Sequence, residues 1–356
     1  MTRTSALAEQ FGELKIDALL VSALPNIRYL SGFTGSNGLL LVTPAGSTLF
    51  TDSRYTIQAA EQTRGQAKVK IVPGPLAAAA APVIASRRLK RVGFEAGRML
   101  YDSWQRLKET APLGIALRPI GNVVEQMRMV KSEEEIGLIR QAVLTNSKAF
   151  EAALRRIRPN ATEADIAAEL EYQMRRHGAE KASFDTIVAA GTRTALPHAS
   201  PGNERLKNDQ LLLIDMGATR EGYASDMTRM LFAGKPGRRV RSMYNAVLEA
   251  KLAAIDTVRE GAAAGAVDRA ARLTLKRAGL DKAFVHSTGH GLGLEIHEPP
   301  RLGAKDKTRL RAGMTITIEP GAYIEAFGGV RIEDTVLVTA NGCEVLTPTS
   351  KELAIL

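Results

Sequence analysis

Leu211-Leu-Leu-Ile-Asp215-Met-Gly-Ala-Thr-Arg220-Glu-Gly-Tyr-Ala-Ser-Asp226 reads as a β-hairpin in which an apolar strand ends in an acid, turns at Thr219-Arg-Glu-Gly222 and returns to a second acid. An unbroken aliphatic run is the pattern of a strand covered on both faces, and a carboxylate at its end is costly to bury without a partner. A turn centred between Arg220 and Glu221 would set Asp215 and Asp226 directly opposite each other, with Cβ atoms about 5 Å apart. Like charges so placed destabilise the sheet unless a cation lies between them. The alternative is a register slip that exposes one of the two acids.

The same device recurs near the C-terminus. Thr315-Ile-Thr-Ile-Glu319 alternates as a strand, and Gly329-Val-Arg-Ile-Glu333 is its return. A turn centred on Ala326, relieved by Gly328 and Gly329, opposes Glu319 and Glu333. Between the hairpins lies His286-Ser-Thr-Gly-His290-Gly-Leu-Gly-Leu-Glu-Ile-His297-Glu298, which holds three of the five histidines of the chain. Gly289, Gly291 and Gly293 weaken any regular helix or strand here, but suit a backbone that passes close to a ligand or metal. Histidines that serve only the core are the bland alternative. Two opposed acidic pairs and a histidine make a nitrogen and oxygen donor set without sulfur, suited to Mn²⁺, Co²⁺, Fe²⁺ or Zn²⁺. Four carboxylates exceed the needs of one ion and suggest two, about 3.5–4 Å apart and bridged by shared acids.

Upstream of these hairpins, Ser132 with Glu135 opens a helix whose apolar stripe is Ile136, Ile139 and Val143, expected to run to about Ile157 and stop at Pro159. Thr162 with Asp165 opens another, ending near Gly178, where His177 reads as a cap. Further helices are expected over 238–260 and 266–278. The first third alternates short apolar strands (Ala18–Val21, Leu39–Val42, Thr48–Thr51, Val69–Val72, Val92–Phe94) with helical segments near Tyr55–Glu61 and Tyr101–Lys108, the pattern of an α/β domain. Pro119 and Gly121 mark a linker after it.

Composition fits two soluble domains. The chain has 356 residues, 45% of them hydrophobic and 24% charged. The net charge of +10 is spread out, with no long basic run, so no nucleic-acid partner is expected. Cys343 is the only cysteine, which excludes an intrachain disulfide and a thiolate zinc cluster. The N-terminus lacks the apolar core of a signal peptide, and the most apolar stretch, Pro75–Ala85, is too short to span a bilayer. A cytoplasmic protein without membrane contact is the expectation.

At these residues the sequence resembles the metallopeptidases of the pita-bread fold: Xaa-Pro aminopeptidase, prolidase and methionine aminopeptidase. The likeness runs through Leu196-Pro-His198, Asp215-Met-Gly-Ala, Ser225-Asp226, the segment His286 to Glu298, Ile318-Glu-Pro-Gly321 and Val330-Arg-Ile-Glu-Asp334. In the first third, Tyr29-Leu-Ser-Gly-Phe-Thr-Gly-Ser-Asn-Gly38 and Phe50-Thr-Asp-Ser-Arg-Tyr55 look like the creatinase-type domain of proline-specific members. The resemblance implies an α/β creatinase-like N-terminal domain over residues 1–125. An α+β pita-bread catalytic domain with a curved, mainly antiparallel sheet would follow over 126–356.

It further implies that Asp215, Asp226, His290, Glu319 and Glu333 are the ligands of two divalent ions, manganese first among them. Asp226 and Glu333 would bridge, Asp215 would bind one ion, and His290 with Glu319 the other. The ions would activate a shared water near neutral pH and polarise the scissile carbonyl. Glu319 would shuttle the proton to the leaving proline nitrogen. His198 and His297 would stabilise the carbonyl oxygen, with His286 behind them. Arg331 and Tyr323 are either orienting partners of the site or purely structural.

The implied activity is release of the N-terminal residue from short Xaa-Pro peptides, with Xaa-Pro dipeptidase as the alternative, by a homodimer. Arg301 and Lys305 are the cations placed to hold a free proline carboxylate, though a solvated basic loop explains them equally. Methionine aminopeptidase lacks the extra N-terminal domain. Creatinase lacks the ligand set. A non-enzymatic pita-bread module would have lost ligands that are all present here.

Overall fold

A computed structural model describes residues 2–158 and 160–356. The chain divides into two compact units, Met1–Arg128 and Met129–Leu356. The first is built on a six-stranded mixed sheet with the spatial order Lys68–Ile71, Thr48–Thr51, Leu39–Val42, Ala18–Val21, Arg91–Glu95, Ala116–Ile120. The three strands Ala18–Val21, Leu39–Val42 and Thr48–Thr51 are buried along their whole length, as their unbroken apolar runs require. Helices cover them, including Leu76–Ser86, which forms from the alanine-rich stretch.

Pro119, expected in a linker, lies instead in the edge strand Ala116–Ile120, opposite Phe94. An edge position tolerates a residue with no N–H to give. The helix Val123–Arg128 that follows is held by a buried polar network. Asn26 Nδ2 donates to Glu95 at 2.6 Å and to Glu125 at 2.9 Å, while Arg128 donates to Asn26 Oδ1 at 2.6 Å. Glu95 also accepts the backbone N–H groups of Ser22 and Ala23 at the start of helix Leu24–Ser31.

In the second unit, helices Glu133–Leu154 and Glu163–Arg176 each open with a complete capping box, Ser132 with Glu135 and Thr162 with Asp165. Pro159, expected to stop the first of them, lies outside the described residues. His177 is the C-cap residue of the second. Helices Arg238–Thr257 and Ala264–Arg277 pack against the opposite side.

Two sheets lie between these helix pairs. One has the order Ala354–Ile355, Met227–Ala233, Gln210–Met216, Ile187–Ala190, and the other Glu298–Arg301, His290–Gly291, Thr315–Ile318, Asp334–Val338, Cys343–Val345. All strand pairings in them are antiparallel except that of Met227–Ala233 with Ala354–Ile355. Among the described residues no helix is long and apolar enough to cross a membrane.

Strand Gln210–Met216 is apolar on both faces because it has a core on each. Leu212, Ile214 and Met216 join one hydrophobic cluster with Leu170 and Met174, while Leu211 and Leu213 join another with Val247 and Val267. Asp215 has the parity of Leu211 and Leu213, so it extends the second face at the strand end. On the neighbouring strand Met230 and Phe232 belong to that same face, and by period two so do Thr228 and Asp226. Gly217 is the closest approach in this hairpin: a Cβ there would stand 2.1 Å from the Ser225 carbonyl oxygen and 2.7 Å from the Phe184 ring. Gly217→Ala is expected to cost about 1–3 kcal/mol through overpacking. Thermal and urea unfolding would measure it, and an unchanged midpoint would contradict so close an approach.

Candidate metal centre

The hairpin carrying Asp215 and Asp226 forms, but its register differs from the expected one. Asp215 pairs with Thr228, Met216 with Met227 and Arg220 with Tyr223. The turn is therefore centred between Glu221 and Gly222, whose φ values of 45° and 75° place both in the left-handed region, as a tight type I′ hairpin turn requires. The demand for two positive φ angles, with glycine second, sets this position in place of one between Arg220 and Glu221. The shift amounts to two residues in pairing, so Asp226 is diagonal to Asp215 rather than opposite. Side-chain parity is kept, and both acids face the same side.

In the second hairpin the turn is centred on Ala326, which takes φ 58°. Ile318 pairs with Asp334 on one side of the acids and Gly321 with Arg331 on the other, and a single register through both places Glu319 opposite Glu333. The ladder breaks at these acids into two ribbons, Thr315–Ile318 with Asp334–Val338 and Gly321–Ile324 with Gly328–Arg331. The histidine segment lies against the first ribbon. Glu319 N–H donates to the Thr288 carbonyl at 2.8 Å and His290 N–H to Thr317 Oγ1 at 3.1 Å. Gly289 permits this contact, since a Cβ there would stand 2.0 Å from the Thr317 carbonyl oxygen. The two hairpins meet where Glu333 N–H donates to the Thr228 carbonyl at 3.2 Å and Thr335 Oγ1 to the Asp226 carbonyl at 3.0 Å.

The five side chains converge. His290 Nε2 is 3.5 Å from Asp226 Oδ2 and 3.5 Å from Glu319 Oε1. Asp226, His290 and Glu333 each place a ligand atom within 4.8 Å of the others. His290 Nδ1 donates to the Gly291 carbonyl at 3.0 Å, which leaves the Nε2 lone pair facing the acids, the tautomer a metal ligand needs. Arg331 donates from Nη2 to Asp215 Oδ2 at 2.6 Å, from Nη1 to Tyr323 Oη at 2.8 Å and to the Pro197 carbonyl at 3.1 Å, and from Nε to Thr228 Oγ1 at 3.1 Å. Thr228 Oγ1 in turn donates to Glu333 Oε2 at 2.8 Å. One oxygen of Asp215 and one of Glu333 are thus fastened, while Asp215 Oδ1 and Glu333 Oε1 are buried without a hydrogen-bond partner.

Four carboxylates and one guanidinium leave an excess of negative charge. A single pair of like charges about 4 Å apart costs about 4 kcal/mol at an effective dielectric of 20, a large part of a total stability of about 5–15 kcal/mol. In the metal-free chain Asp226, Glu319 and Glu333 are pushed towards their protonated forms. Burial, then Glu333, Asp215 and Glu319, pushes Asp226 well above the usual carboxylate range. Burial with the charges of Glu319 and Asp215 does the same to Glu333. Burial pushes Glu319 up to about 7. His290 is pushed down to about 4 by burial and by neighbouring His297, so it is neutral and able to ligate. The orphaned oxygens, the excess charge and the histidine tautomer all fit a divalent centre.

This cluster forms one wall of a cavity of about 950 Å³. His198 and His297, both more than a third exposed, line it beside the acids, and the rings of His290 and His297 meet edge to face at 4.4 Å. His286 lies behind, its Nε2 accepting from Tyr323 Oη at 2.9 Å, with burial holding its ring down at about 4. Phe184, Ile187, Ile296 and Pro299 give the cavity an apolar side. Arg301 lines this cavity and a smaller neighbour, and Lys305 lines only the neighbour. Cys343 lines neither, and burial raises its thiol. The structure adds Thr228 and the buried Lys131–Glu298 ion pair to the residues that the sequence singles out. Thr228 is within reach of a sequence reading by period two from Asp226. Lys131 carries no local signal.

Comparisons with known proteins identify the families of both parts of the chain. Residues 137–340 match the model of metallopeptidase family M24 and residues 3–130 that of the creatinase/prolidase N-terminal domain. The chain is 37% identical over 353 residues to a Xaa-Pro dipeptidase of Pyrococcus horikoshii, covering 99% of this chain and 98% of that one. Among solved structures it superposes on a Xaa-Pro dipeptidase from Bacillus anthracis with a TM-score of 0.96 at 36% identity, covering 99% of each chain. An X-Pro aminopeptidase from Thermotoga maritima gives 0.92 at 35% identity over 100% of each.

The titrations lead to a test. A carboxyl group whose folded-state pKa is raised favours the folded state while protonated, so the stripped protein loses stability as pH rises through about 7, the value for Glu319. Above about 7.5, a unit beyond the ordinary histidine value of 6.5, His286, His290 and His297 are almost wholly neutral in the unfolded chain as well and contribute little opposing slope. Between about pH 7.5 and 8.5 the melting temperature of the stripped protein should therefore fall, as Glu319 completes its ionisation and Asp226 and Glu333 follow, and that of the Mn²⁺-loaded protein should fall less. Calorimetry in buffers of different ionisation enthalpy should record proton release on Mn²⁺ binding. A flat or rising melting curve for the stripped protein across this window contradicts protonated acids at the metal-free site.

Proposed function

The chain belongs to metallopeptidase family M24, and from that premise we propose that it removes the N-terminal residue of short peptides whose second residue is proline. The observation that carries this reading is the convergence of Asp215, Asp226, His290, Glu319 and Glu333 on one wall of a cavity that also presents His198 and His297. Asp226 and Glu333 would each serve both of two divalent ions, Asp215 one, and His290 with Glu319 the other. The oxygen-rich donor set suits manganese. The ions supply Lewis acidity and an activated water near neutral pH.

The remaining chemistry belongs to the side chains. Glu319, beside His290 and half-buried, takes the proton of the attacking water and returns it to the proline nitrogen as the bond breaks. His198 and His297 hydrogen-bond the carbonyl oxygen as negative charge develops there. Arg331 holds the Asp215 carboxylate, the Tyr323 hydroxyl and the backbone before His198 in one arrangement. The apolar side of the cavity accommodates the proline ring, and an imide nitrogen asks for no hydrogen-bond acceptor from that wall.

A second reading, cleavage of free Xaa-Pro dipeptides, is favoured by Arg301. Its guanidinium belongs to the cavity wall four residues beyond His297, with Nε 3.4 Å from Ser287 Oγ. A cation there suits the carboxylate of a C-terminal proline.

Protein stripped with chelator and refilled with Mn²⁺ or Co²⁺ should cleave Ala-Pro-Ala, Ala-Pro or both, and the ratio of their kcat/KM values separates the two readings. If neither is cut with any divalent ion, the proline-specific assignment fails. Asp226→Ala should lose all measurable turnover, and full activity in that variant would contradict the ligand assignment. If the dipeptide reading holds, Arg301→Ala should raise KM for Ala-Pro by about tenfold or more while sparing Ala-Pro-Ala, the size expected for losing a charge-assisted hydrogen bond.

A further inference from the structure

The loop that joins His290 to His297 is filled by a carboxylate. Strand pairing closes it at Gly291 and Glu298, with a bulge between His290 and Gly291. The Glu298 side chain turns back inside, where Oε1 accepts the Glu295 N–H at 3.1 Å. A Cβ on Gly293 would stand 2.8 and 2.9 Å from the two carboxylate oxygens, so the third glycine of the segment makes room for Glu298 rather than for a ligand. The loop is also fastened to the first hairpin, since Ala224, two residues before Asp226, donates its N–H to the Gly293 carbonyl at 2.8 Å.

Outside the loop stands Lys131. Its Nζ is 3.2 Å from Glu298 Oε2 and 3.3 Å from the Met129 carbonyl, and the side chains of Lys131 and Glu298 are each only 2% exposed. The lysine backbone is itself fixed, its N–H donating to the Gly313 carbonyl at 3.0 Å. A buried pair of this kind contributes little net stability against well-packed apolar residues, but it admits few geometries, because each charge must keep its partner. Glu298 also lines the cavity and is the residue after His297.

We infer that the Lys131–Glu298 ion pair sets where His297 stands relative to His290, making Glu298 a positioning residue for His297. The inference rests on His297 acting as the hydrogen-bond donor proposed for the carbonyl oxygen. By holding the loop closed from inside, the pair fixes the edge-to-face contact of the two rings and aims His297 at that oxygen.

A double-mutant cycle tests this. In the Mn²⁺-loaded enzyme acting on an Xaa-Pro peptide, Glu298→Gln should lower kcat about tenfold, the scale of losing a partner that orients an active-site group, with KM little changed. The Mn²⁺ stoichiometry measured by calorimetry should be unaltered. Lys131→Met should match it, and Lys131→Arg should retain most of kcat. In a His297→Ala background the added Glu298→Gln change should alter kcat by no more than about twofold, because the residue it positions is gone. If Glu298→Gln does not fold, Glu298→Asp, which keeps the charge and shortens the reach, replaces it in the same cycle. An equal loss with and without His297, or no loss in either background, overturns the inference. Full kcat in His297→Ala alone removes the role of His297 itself, and that outcome is distinguishable from the others.

Discussion

Crowding of like charge is the constraint on which the second unit depends. Asp215, Asp226, Glu319 and Glu333 all line one cavity at the ends of strands that are otherwise apolar, and Asp226 and Glu333 lie within 4.8 Å of each other and of His290. Nothing in the packing of those strands demands acids there. The strand ends hold them against repulsion because each ladder is anchored in a core on its far side: Leu212, Ile214, Met227 and Leu231 for one hairpin, Ile316, Ile318, Val336 and Val338 for the other. The hydrophobic effect in these ladders supplies the rigidity that the site uses.

A second layer of charge lies directly behind the acids, with the opposite sign. Asp334, the residue after Glu333, is fully buried and faces three cations: Lys251 at 2.5 Å, Arg229 at 2.8 Å and Lys351 at 3.4 Å. Lys251 is completely buried, and burial brings its ammonium down to about 8 in spite of its carboxylate partner. This layer carries more positive than negative groups, whereas the site in front carries four acids against Arg331. Arg229 also donates to the Glu333 carbonyl and, at 3.0 Å, to that of Thr228, so the guanidinium that balances Asp334 also locates the backbone of a ligand and of the threonine that holds it. The arrangement provides both a favourable field and a fixed position.

Much of this is legible in the sequence because it is written in short-range patterns. The capping boxes at Ser132 and Thr162, the apolar runs at Ala18–Val21 and Leu211–Ile214 and the turn at Ala326 are local, and local chemistry decides them. The register of the first hairpin is harder to read because a type I′ turn needs two residues with positive φ, and Glu221 supplies one of them without being glycine. The acids still share a face only because the difference in register is an even number of residues. Pro119 misleads for a related reason: proline suggests a linker unless the strand is known to be at an edge, and edge position is a property of the whole sheet. Lys131 and Glu298 stand beyond any such reading, since their pairing joins positions far apart in sequence.

The guanidinium of Arg229 also ties the site to a segment made later than any of its ligands. Its Nε and Nη2 donate at 2.8 Å to the carbonyls of Ser350 and Thr349, the Tyr244 hydroxyl donates to that of Lys351, and Ala354–Ile355 pairs with the strand that begins just after Asp226. Loosening residues 349–355 would therefore be felt at the backbone of Glu333 through a single guanidinium, although none of those residues lines the cavity.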